Sequence, residues 1–300
     1  MARLTISADL QHAIESGKPI VGLESAVITH GLPKAAALDA VRRQWVASAE
    51  AGATPAVVAV FDGGLRVGLS LDDCAALAAR PDAVKVSPWN LASAISNPGF
   101  GGTTVAATVA AAALAGIRVV STGGIGGVHP GRDGQDVSAD LVELSRRAVC
   151  VVCAGPKSTL DAGATLERLE TLGVPVIGWQ SSLLAGFLAT SAGLRLPVRA
   201  ETVEELAAIL GAHWELQGAG AVVSQPLPSD LAIPISELGP DEAAPVRGPD
   251  RTPAELSRLQ ARLGDRVIQA NVALLERNAA LAGALATALV RLQVAVPARG

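Results

Sequence analysis

The sequence predicts an α/β fold: a three-layer α/β/α sandwich with a mixed, largely wound sheet. Of its 300 residues 50% are hydrophobic, whereas aromatic residues make up 2% and Tyr is absent. Ala, Val, Leu and Ile must therefore fill the core, as they do in sheets that helices cover. Short β-rich runs alternate with helical patterns along most of the chain, which is typical of a wound sheet. We expect residues 1–300 to form one domain.

The first half of the chain alternates strands and helices in order. Its predicted strands read PIVGLES, PAVVAVFDG, AVKVS and IRVVSTGG, with GGLRVGLS as a hairpin return after the second. The helical patterns between them read AALDAVRRQWVASAEAG and TTVAATVAAAALAG. Val and Ile favour the strands, and the alanine-rich stretches favour helices.

The second half continues the alternation and ends in a long helix. Its helical patterns read SADLVELSRRA, PKSTLDAGATLERLETLG and TVEELAAILGAHWELQG, and its strands read VCVVCAG, VPVIGW and GAVVSQPL. Residues 226–254 are rich in Pro, Asp, Glu and Gly, which predicts a surface excursion that could serve as a flap over a site. The last helix, about Asp265 to Leu292, carries Asn271 and Asn278 seven residues apart, hence on one face.

Composition argues against a polynucleotide partner, export or a membrane span. The net charge is −4 and no segment concentrates Lys and Arg, so the electrostatic pattern of a nucleic-acid binder is missing. The start MARLTISADL lacks an apolar signal core, and the Ala-rich run 103–120 is interrupted by Arg118. Cys74, Cys150 and Cys153 are an odd set without a disulfide framework. We therefore expect a cytoplasmic protein with buried structural thiols.

Lysine is rare in this chain. Four Lys stand against 20 Arg, since Lys and Arg together number 24. Arg cannot replace a nucleophilic amine because it does not deprotonate, so the retained lysines are candidates for chemistry. Lys85 and Lys157 have apolar surroundings, whereas Lys18 and Lys34 fall in polar loops. Coding bias is the alternative explanation for the low count.

Three glycine-rich stretches are predicted to follow strands: GFGGTT at 99–104, STGGIGGVHPG at 121–131 and CAGPKS at 153–158. In a wound sheet such loops lie at the carboxyl edge, where ligands bind and where glycine lets the backbone approach a phosphate. Together they indicate a phosphorylated small molecule, although structural turns would explain any one of them. The chain has no GxxxxGK[ST] motif, which argues against nucleoside triphosphates.

Lys157 and Glu24 are candidates for covalent and acid–base chemistry. Pro156 suits the first turn of a helix, which would put Lys157 near the positive helix end and favour a neutral amine able to form an imine. A Lys at such a place can instead bind an anion or face solvent. Glu24 stands where an apolar strand meets a turn, so we expect a desolvated carboxyl with a raised pKa, suited to a general acid. Capping a backbone or pairing with Arg is the alternative.

Polar residues follow the second glycine-rich stretch. Ser138 is expected to cap the next helix and leave its first amides free for a phosphate. Asp136, just before it, could hold a hard divalent ion or be an ordinary solvated aspartate. His129 could orient a substrate or simply belong to the loop.

As a set, these segments resemble the pseudouridine-5'-phosphate glycosidase family, which includes indigoidine-synthase-A-like proteins. The matching segments span roughly residues 19–282 and read VGLESAVITHGLP, VKVS, GGTTVAAT, STGGIGGVH, DVSADL, VCAGPKSTLD, TLERLETLGVPVIG and ANVALLERNAALA. The resemblance implies a homotrimer with manganese that makes or breaks the carbon–carbon bond between ribose 5-phosphate and its aglycone.

The resemblance also implies roles for individual residues. The imine-forming lysine falls on Lys157, the acid on Glu24, the second active-site lysine on Lys85 and the manganese ligand on Asp136. Contacts to the sugar phosphate fall on Thr104, Val105, Ser138, Ala139 and Asp140, with His129 and Asn271 also expected in the pocket. A carbon leaving group has no lone pair to protonate, so the paired-carboxylate route of ordinary glycosidases has little to act on, and an imine solves this difficulty.

Departures from the family pattern leave the aglycone open. Ser87, Pro88 and Trp89 replace a charged segment after the strand lysine, Pro130 replaces a basic residue, and the region 248–256 is shortened. An apolar pocket would disfavour uracil, whereas a larger aromatic would stack on Trp89. Three functions therefore remain: release of uracil from pseudouridine 5'-phosphate, attachment of ribose 5-phosphate to an aromatic polyketide by a C-glycosynthase of alnumycin type, and non-catalytic binding of a sugar phosphate.

Overall fold

A computed structural model describes residues 4–131, 134–238 and 251–295, which contain one sheet of eleven strands. The strands are β1 Leu4–Ile6, β2 Ile20–Leu23, β3 Thr54–Phe61, β4 Gly64–Leu69, β5 Val84–Val86, β6 Phe100–Thr103, β7 Val119–Ser121, β8 Cys150–Cys153, β9 Val176–Trp179, β10 Val198–Ala200 and β11 Ala221–Ser224.

The sheet is mixed and mostly parallel, as the sequence predicts. Its main order is β1-β4-β3-β2-β7-β8-β11-β9-β10, with β6 paired to β3 and β5 paired to β6. The antiparallel pairs are β3 with β4 and β3 with β6, and the other pairs in the described residues are parallel. The predicted hairpin return after β3 is therefore confirmed.

The helices are α1 Ala8–Glu15, α2 Lys34–Glu50, α3 Leu71–Ala78, α4 Pro88–Ala94, α5 Val105–Leu114, α6 Ala139–Leu144, α7 Ala162–Thr171, α8 Val203–Glu215, α9 Arg251–Leu263 and α10 Asp265–Ala295. A π-helical turn, Val27–Gly31, follows β2. A 3₁₀ turn, Ile235–Glu237, lies in the predicted surface excursion.

Helices cover both faces of the sheet. Side chains of a strand alternate between faces, and on β3 Val57 and Ala59 join a hydrophobic cluster with residues of α2, α8 and α10. Ala56 and Val58 join a second cluster with residues of α1, α5, α6 and α7. Both faces are therefore buried, which confirms the three-layer arrangement.

The last helix, α10, is a core helix. It packs against α2, α8 and the central strands β2, β7 and β8. Its segment Asp265–Leu292 has the length and apolar composition of a membrane span, yet 67% of its most apolar stretch is buried within the protein. Burial against the sheet accounts for this apolar character. Asn271 and Asn278 are both buried on it, as expected for residues that share a face.

The three cysteines are free and buried. Burial raises the pKa of the Cys74 thiol to about 12 and that of Cys153 to about 12. Burial also raises the pKa of Cys150, with a smaller contribution from Cys153. Because the thiolate is the reactive form, these residues are inert structural thiols, as the sequence predicts.

Two element predictions are wrong. The helix predicted from Pro156 begins only at Ala162, because Asp161 caps it by accepting the Ala164 backbone N–H at 2.9 Å. The stretch GFGGTT, predicted to be a loop, contains strand β6. Pairing with β3 on one side and β5 on the other satisfies the backbone of this strand despite its glycines.

The helix predicted over SADLVELSRRA is shorter, since α6 ends at Leu144. The predicted excursion at 226–254 also needs correction, because α9 begins at Arg251. Residues 239–250 of the excursion, and with them part of the shortened region at 248–256, lie outside the described residues.

Gly155 allows a test of how closely the backbone after β8 approaches the Ala185 carbonyl. Its φ is +83°, and a Cβ there would lie 2.3 Å from the carbonyl oxygen of Ala185. Gly173 has φ +69° with nothing within 4 Å of an added Cβ. Both Ala variants incur the left-handed strain of roughly 1–2 kcal/mol. Gly155→Ala should lose a further 1–3 kcal/mol, roughly, through overpacking.

Urea unfolding of Gly155→Ala beside Gly173→Ala measures this difference. Equal losses of unfolding free energy in the two variants would contradict the close approach of Ala185.

Candidate active site

Three neighbouring parallel strands bring the predicted catalytic segments to one edge of the sheet. Glu24 follows β2, the 121–131 stretch follows β7, and Lys157 follows β8, and these strands are adjacent. The loops after β7 and β8 pair with each other, since Ile125 bridges Pro156 and the Lys157 backbone N–H donates to Ile125 O at 3.1 Å. This is the carboxyl edge, where ligands bind in open α/β sheets.

Two adjoining cavities lie at this edge, and Glu24, Lys85 and Lys157 line both. The larger has a volume of about 290 Å³ and the smaller about 50 Å³. Lys85 and Lys157 are half-buried, whereas Lys18 and Lys34 are exposed and line neither cavity. The structure therefore brings together the two lysines that the sequence places in apolar surroundings.

The prediction that Lys157 lies in the first turn of a helix is wrong. The loop that carries it runs alongside the glycine-rich stretch after β7, and α7 begins only after Asp161. The dipole of a helix beginning at Pro156, which the sequence predicts, therefore does not act on the Lys157 amine. Its place between the two cavities comes instead from pairing with Ile125 and from Gly155, whose left-handed conformation turns the chain after β8.

Glu24 is a buried carboxyl, as the sequence predicts. Its side chain is 6% exposed, and the Thr122 hydroxyl donates a hydrogen bond to Oε1. Desolvation raises the pKa of Glu24 above its usual value, although Lys157, the Thr122 hydroxyl and Lys85 oppose the shift. A carboxyl with a raised pKa keeps its proton to higher pH, which is the property a general acid needs.

The larger cavity gathers the residues that the family resemblance places around a sugar phosphate. Beside Glu24, Lys85 and Lys157, its lining includes Trp89, Thr104, Val105, His129, Asp136, Ser138, Ala139 and Asp140. Thr104 caps α5 by accepting the Ala107 backbone N–H at 3.4 Å. The amino end of a ten-residue helix therefore points toward this cavity, and such ends attract anions.

Asp140 fixes two parts of this cavity to each other. Its Oδ1 accepts the Ala106 N–H of α5 at 2.8 Å, and its Oδ2 accepts the Gly126 N–H at 2.7 Å. Ser138 caps α6 as predicted, because its hydroxyl accepts the Asp140 N–H at 3.2 Å. A Cβ on Gly126 would lie 2.3 Å from the Ser138 hydroxyl. Gly126 is needed because the Ser138 side chain occupies the space that a Cβ would fill, whereas the sequence suggested only close approach to a phosphate.

Asp136 offers one carboxylate to the larger cavity. Over residues 4–131, 134–238 and 251–295, no group of three or more His, Cys, Asp or Glu side chains could hold a metal ion. Hard divalent ions can bind through one or two carboxylates when water and phosphate oxygens complete the shell. The donors at Asp136 fit an ion held in that way and do not form a protein cage.

The smaller cavity is more apolar. Beside the shared residues it is lined by Val27, His30, Gly31, Gly123, Gly124, Phe187, Asn271 and Leu275. Asn271 was expected here from the resemblance. The sequence reasoning missed His30 and Phe187, although the stretch THG after Glu24 was a usable signal. His30 belongs to the π-helical turn, a feature that recurs at functional sites, and its Nδ1 lies 2.6 Å from the Thr29 hydroxyl.

Trp89 lies at the mouth of the larger cavity. It is 74% exposed on α4 and does not line the smaller one. The chain turns into α4 after Ser87, whose backbone N–H donates to Asn90 Oδ1 at 2.8 Å, while Asn90 Nδ2 donates to the Lys85 carbonyl at 3.0 Å. The SPWNL segment, which stands where the resemblance implies a charged segment, forms a capped helix beside Lys85 that borders the larger cavity.

The model of the family described as indigoidine synthase A like protein matches residues 9–288 of this chain. The chain belongs to this family. A pseudouridine-5'-phosphate glycosidase from Gemmatimonas aurantiaca is 46% identical over 288 residues, which cover 93% of this chain and 94% of that protein.

Two solved structures are similar over almost the whole chain. The indigoidine synthase A-like protein of Thermotoga maritima superimposes with a TM-score of 0.89 at 36% identity, covering 97% of each chain. The prealnumycin C-glycosynthase AlnA, in complex with ribulose 5-phosphate, gives a TM-score of 0.88 at 31% identity, covering 98% of this chain and 99% of that one. Both resemblances inferred from the motifs are thereby confirmed at the level of the family.

The buried carboxyl of Glu24 should reduce stability at neutral pH. Because its folded pKa is raised, the folded state binds this proton more tightly than the unfolded state. Its contribution to stability is therefore lost as pH rises from the unfolded pKa through the folded one, by at most about 1.4 kcal/mol per pH unit. Glu24→Gln removes the charge, so its stability relative to wild type should rise over that window.

Urea unfolding between pH 5 and pH 8 measures the effect. Glu204→Gln on the exposed side of α8 is the control, and its difference from wild type should stay flat. If the difference in unfolding free energy between Glu24→Gln and wild type also stayed constant with pH, the burial of an ionisable Glu24 would be contradicted.

Proposed function

We propose that this protein cleaves pseudouridine 5'-phosphate with water to uracil and ribose 5-phosphate, through an imine on Lys157. The observation that carries the proposal is that Glu24, Lys85 and Lys157 line both cavities. An acid and two amines thus lie where one cavity meets the other, which is where the bond between sugar and aglycone would be. The 46% identity to a protein named as this glycosidase supports the substrate.

Each residue has a defined part in this reaction. Glu24 gives a proton to the ring oxygen as the bond from that oxygen to C1' breaks, and the Lys157 amine adds to C1' through its nitrogen lone pair. The adduct nitrogen then gives a proton to the Glu24 carboxylate. Its lone pair forms the C1'=N bond as the C1'–C5 bond breaks, and C5 of uracil takes up a proton from Glu24. Water hydrolyses the imine, which restores the amine and releases ribose 5-phosphate. Lys85 positions the open-chain sugar.

The two cavities suit the two halves of the substrate. The larger has the α5 amino end and the hydroxyls of Thr104 and Ser138, which suit a phosphate. The smaller, at about 50 Å³ against about 290 Å³, is the one we assign to the uracil ring. Asn271 and the backbone of Gly123 and Gly124 offer it hydrogen-bonding groups for the uracil edge. A wholly apolar site would leave that edge unpaired, at a cost of roughly 1–3 kcal/mol per group.

A C-glycosynthase is the second candidate. Its support is the structural similarity to AlnA and the exposed Trp89, on which a flat aromatic could stack. Trp89 lies on the sugar-phosphate side, however, so such an acceptor would have to reach C1' from that side. A non-catalytic sugar-phosphate binder is the third candidate, and the presence of both Glu24 and Lys157 argues against it.

Metal, assembly and location are part of the proposal. A Mn²⁺ ion at Asp136 would supply positive charge beside the phosphate. We also propose a homotrimer, which the family resemblance implies, and a cytoplasmic location, which the cysteine usage favours. Sedimentation that gives a monomer at working concentration would contradict the trimer, and an unchanged Mn²⁺ affinity in Asp136→Ala would contradict the metal site.

Substrate choice tests the proposed function directly. The protein is incubated with pseudouridine 5'-phosphate, and separately with ribose 5-phosphate plus either uracil or a naphthoquinone-type acceptor. We expect fast release of uracil from the first mixture and no coupling to the quinone. Coupling to the quinone alone would assign the chain to C-ribosylation of aromatic compounds.

Replacing Lys157 tests the covalent route. Lys157→Arg keeps the positive charge but removes the nucleophile, so uracil release should fall on the order of 10³-fold or more, as in Lys157→Ala. Lys34→Arg, at an exposed lysine away from the cavities, is the matched control and should keep wild-type activity. Substantial turnover by Lys157→Arg would mean that this residue serves only as a cation.

A further inference from the structure

Strand pairing places Thr122 opposite Glu24. In the parallel pair β2 and β7, Gly22 pairs with Val120 and Leu23 with Ser121, so Glu24 and Thr122 are the next residues on the two chains. The Thr122 hydroxyl uses this proximity to donate to Glu24 Oε1. Thr122 is fully buried and lines neither cavity, so it reaches a substrate only through Glu24.

The backbone of Thr122 is held on two sides. Its N–H donates to the Val152 carbonyl of β8 at 3.1 Å. Its carbonyl accepts a hydrogen bond from Asn278 Nδ2 at 2.8 Å, and the same Nδ2 lies 3.3 Å from the Gly123 carbonyl. Asn278 belongs to the core helix α10 and is itself 1% exposed. The backbone of Thr122 is therefore held in place, and with it the position from which its hydroxyl reaches Glu24.

We propose that Thr122 is the positioning residue of the acid: its hydroxyl donates to Oε1 of Glu24, so that the transferable proton is carried by Oε2. A protonated carboxyl has one hydrogen, and its carbonyl oxygen is the better acceptor, so a hydroxyl that donates to Oε1 favours the proton on Oε2. Glu24 lines both cavities, so Oε2 is the oxygen left for substrate. This inference rests on the proposed function, in which Glu24 protonates the ring oxygen.

The same hydrogen bond moderates the proton affinity of the buried acid. Desolvation raises the pKa of Glu24, and the Thr122 hydroxyl lowers it by stabilising the carboxylate. Without the hydroxyl the carboxyl would hold its proton to a still higher pH and release it less readily. Its orientation toward the substrate would also be lost.

Thr122→Val tests the inference, because valine keeps the shape and removes the hydroxyl. For uracil release, kcat should fall roughly ten- to hundredfold with KM little changed, since the side chain does not touch the cavities. Activity requires protonated Glu24, so kcat falls as pH rises through the pKa of Glu24. This falling limb of the plot of kcat against pH should move to higher pH in Thr122→Val. Thr122→Ser restores the hydroxyl and should recover both the rate and the position of the limb.

A matched control removes a threonine hydroxyl elsewhere. Thr287 on α10 donates to the carbonyls of Ala51 and Gly283 at 3.0 and 2.9 Å, far along the helix from the site. Thr287→Val should leave the pH profile in place. Thr122→Ser as impaired as Thr122→Val, or Thr122→Val with a wild-type rate and an unmoved limb, would overturn the inference.

A second measurement separates this inference from the proposed function. The pH dependence of unfolding, compared between Thr122→Val and Thr122→Val/Glu24→Gln, reports the pKa of Glu24 without any turnover. The pKa of Glu24 obtained from this pair should be higher than the pKa obtained by comparing wild type with Glu24→Gln. If wild type releases no uracil, the proposed function fails, while an unchanged pKa in this comparison overturns the role of Thr122.

Discussion

A carboxyl withdrawn from water beside two lysines is the constraint on which the rest of this site depends. Glu24 is almost completely buried where β2 ends, and burial raises its pKa while Lys157 and Lys85 act against that shift. A buried ionisable group is costly unless it is hydrogen-bonded or paired. The protein accepts this cost at one edge of its sheet, and the neighbouring elements are arranged to keep the carboxyl in one place.

The scaffold holds that edge through hydrogen bonds that cross between elements. The register of β2 and β7 puts Thr122 against Glu24, and Asn278 of α10 secures the turn that follows β7. Asp140 joins the amino end of α5 to the same glycine-rich stretch through two backbone N–H groups. These hydrogen bonds join protein groups to one another, and they hold in place the groups that line the two cavities.

The sequence predicted the fold well, because period-two and helical patterns report burial, and the residues that the family motifs single out line the two cavities. Lys85 and Lys157 stood out by rarity, and both line the cavities. Local signals were less reliable. Pro156 suggested a helix start, but pairing with Ile125 extends the loop until Asp161 supplies a better cap. Thr122 belongs to the glycine-rich stretch 121–131, but nothing in the sequence distinguished it from its neighbours, and Phe187 gave no local signal. Their positions depend on strand register and on contacts distant in sequence.

The central claim is that Lys157 forms a covalent imine with the sugar, and chemical trapping tests it most directly. Wild-type protein is incubated with ribose 5-phosphate and borohydride, digested, and its peptides are analysed by mass spectrometry. The account predicts a reduced ribose-phosphate adduct on the peptide that contains Lys157, and none on those that contain the exposed Lys18 and Lys34. An unmodified Lys157 peptide at saturating sugar phosphate would contradict it.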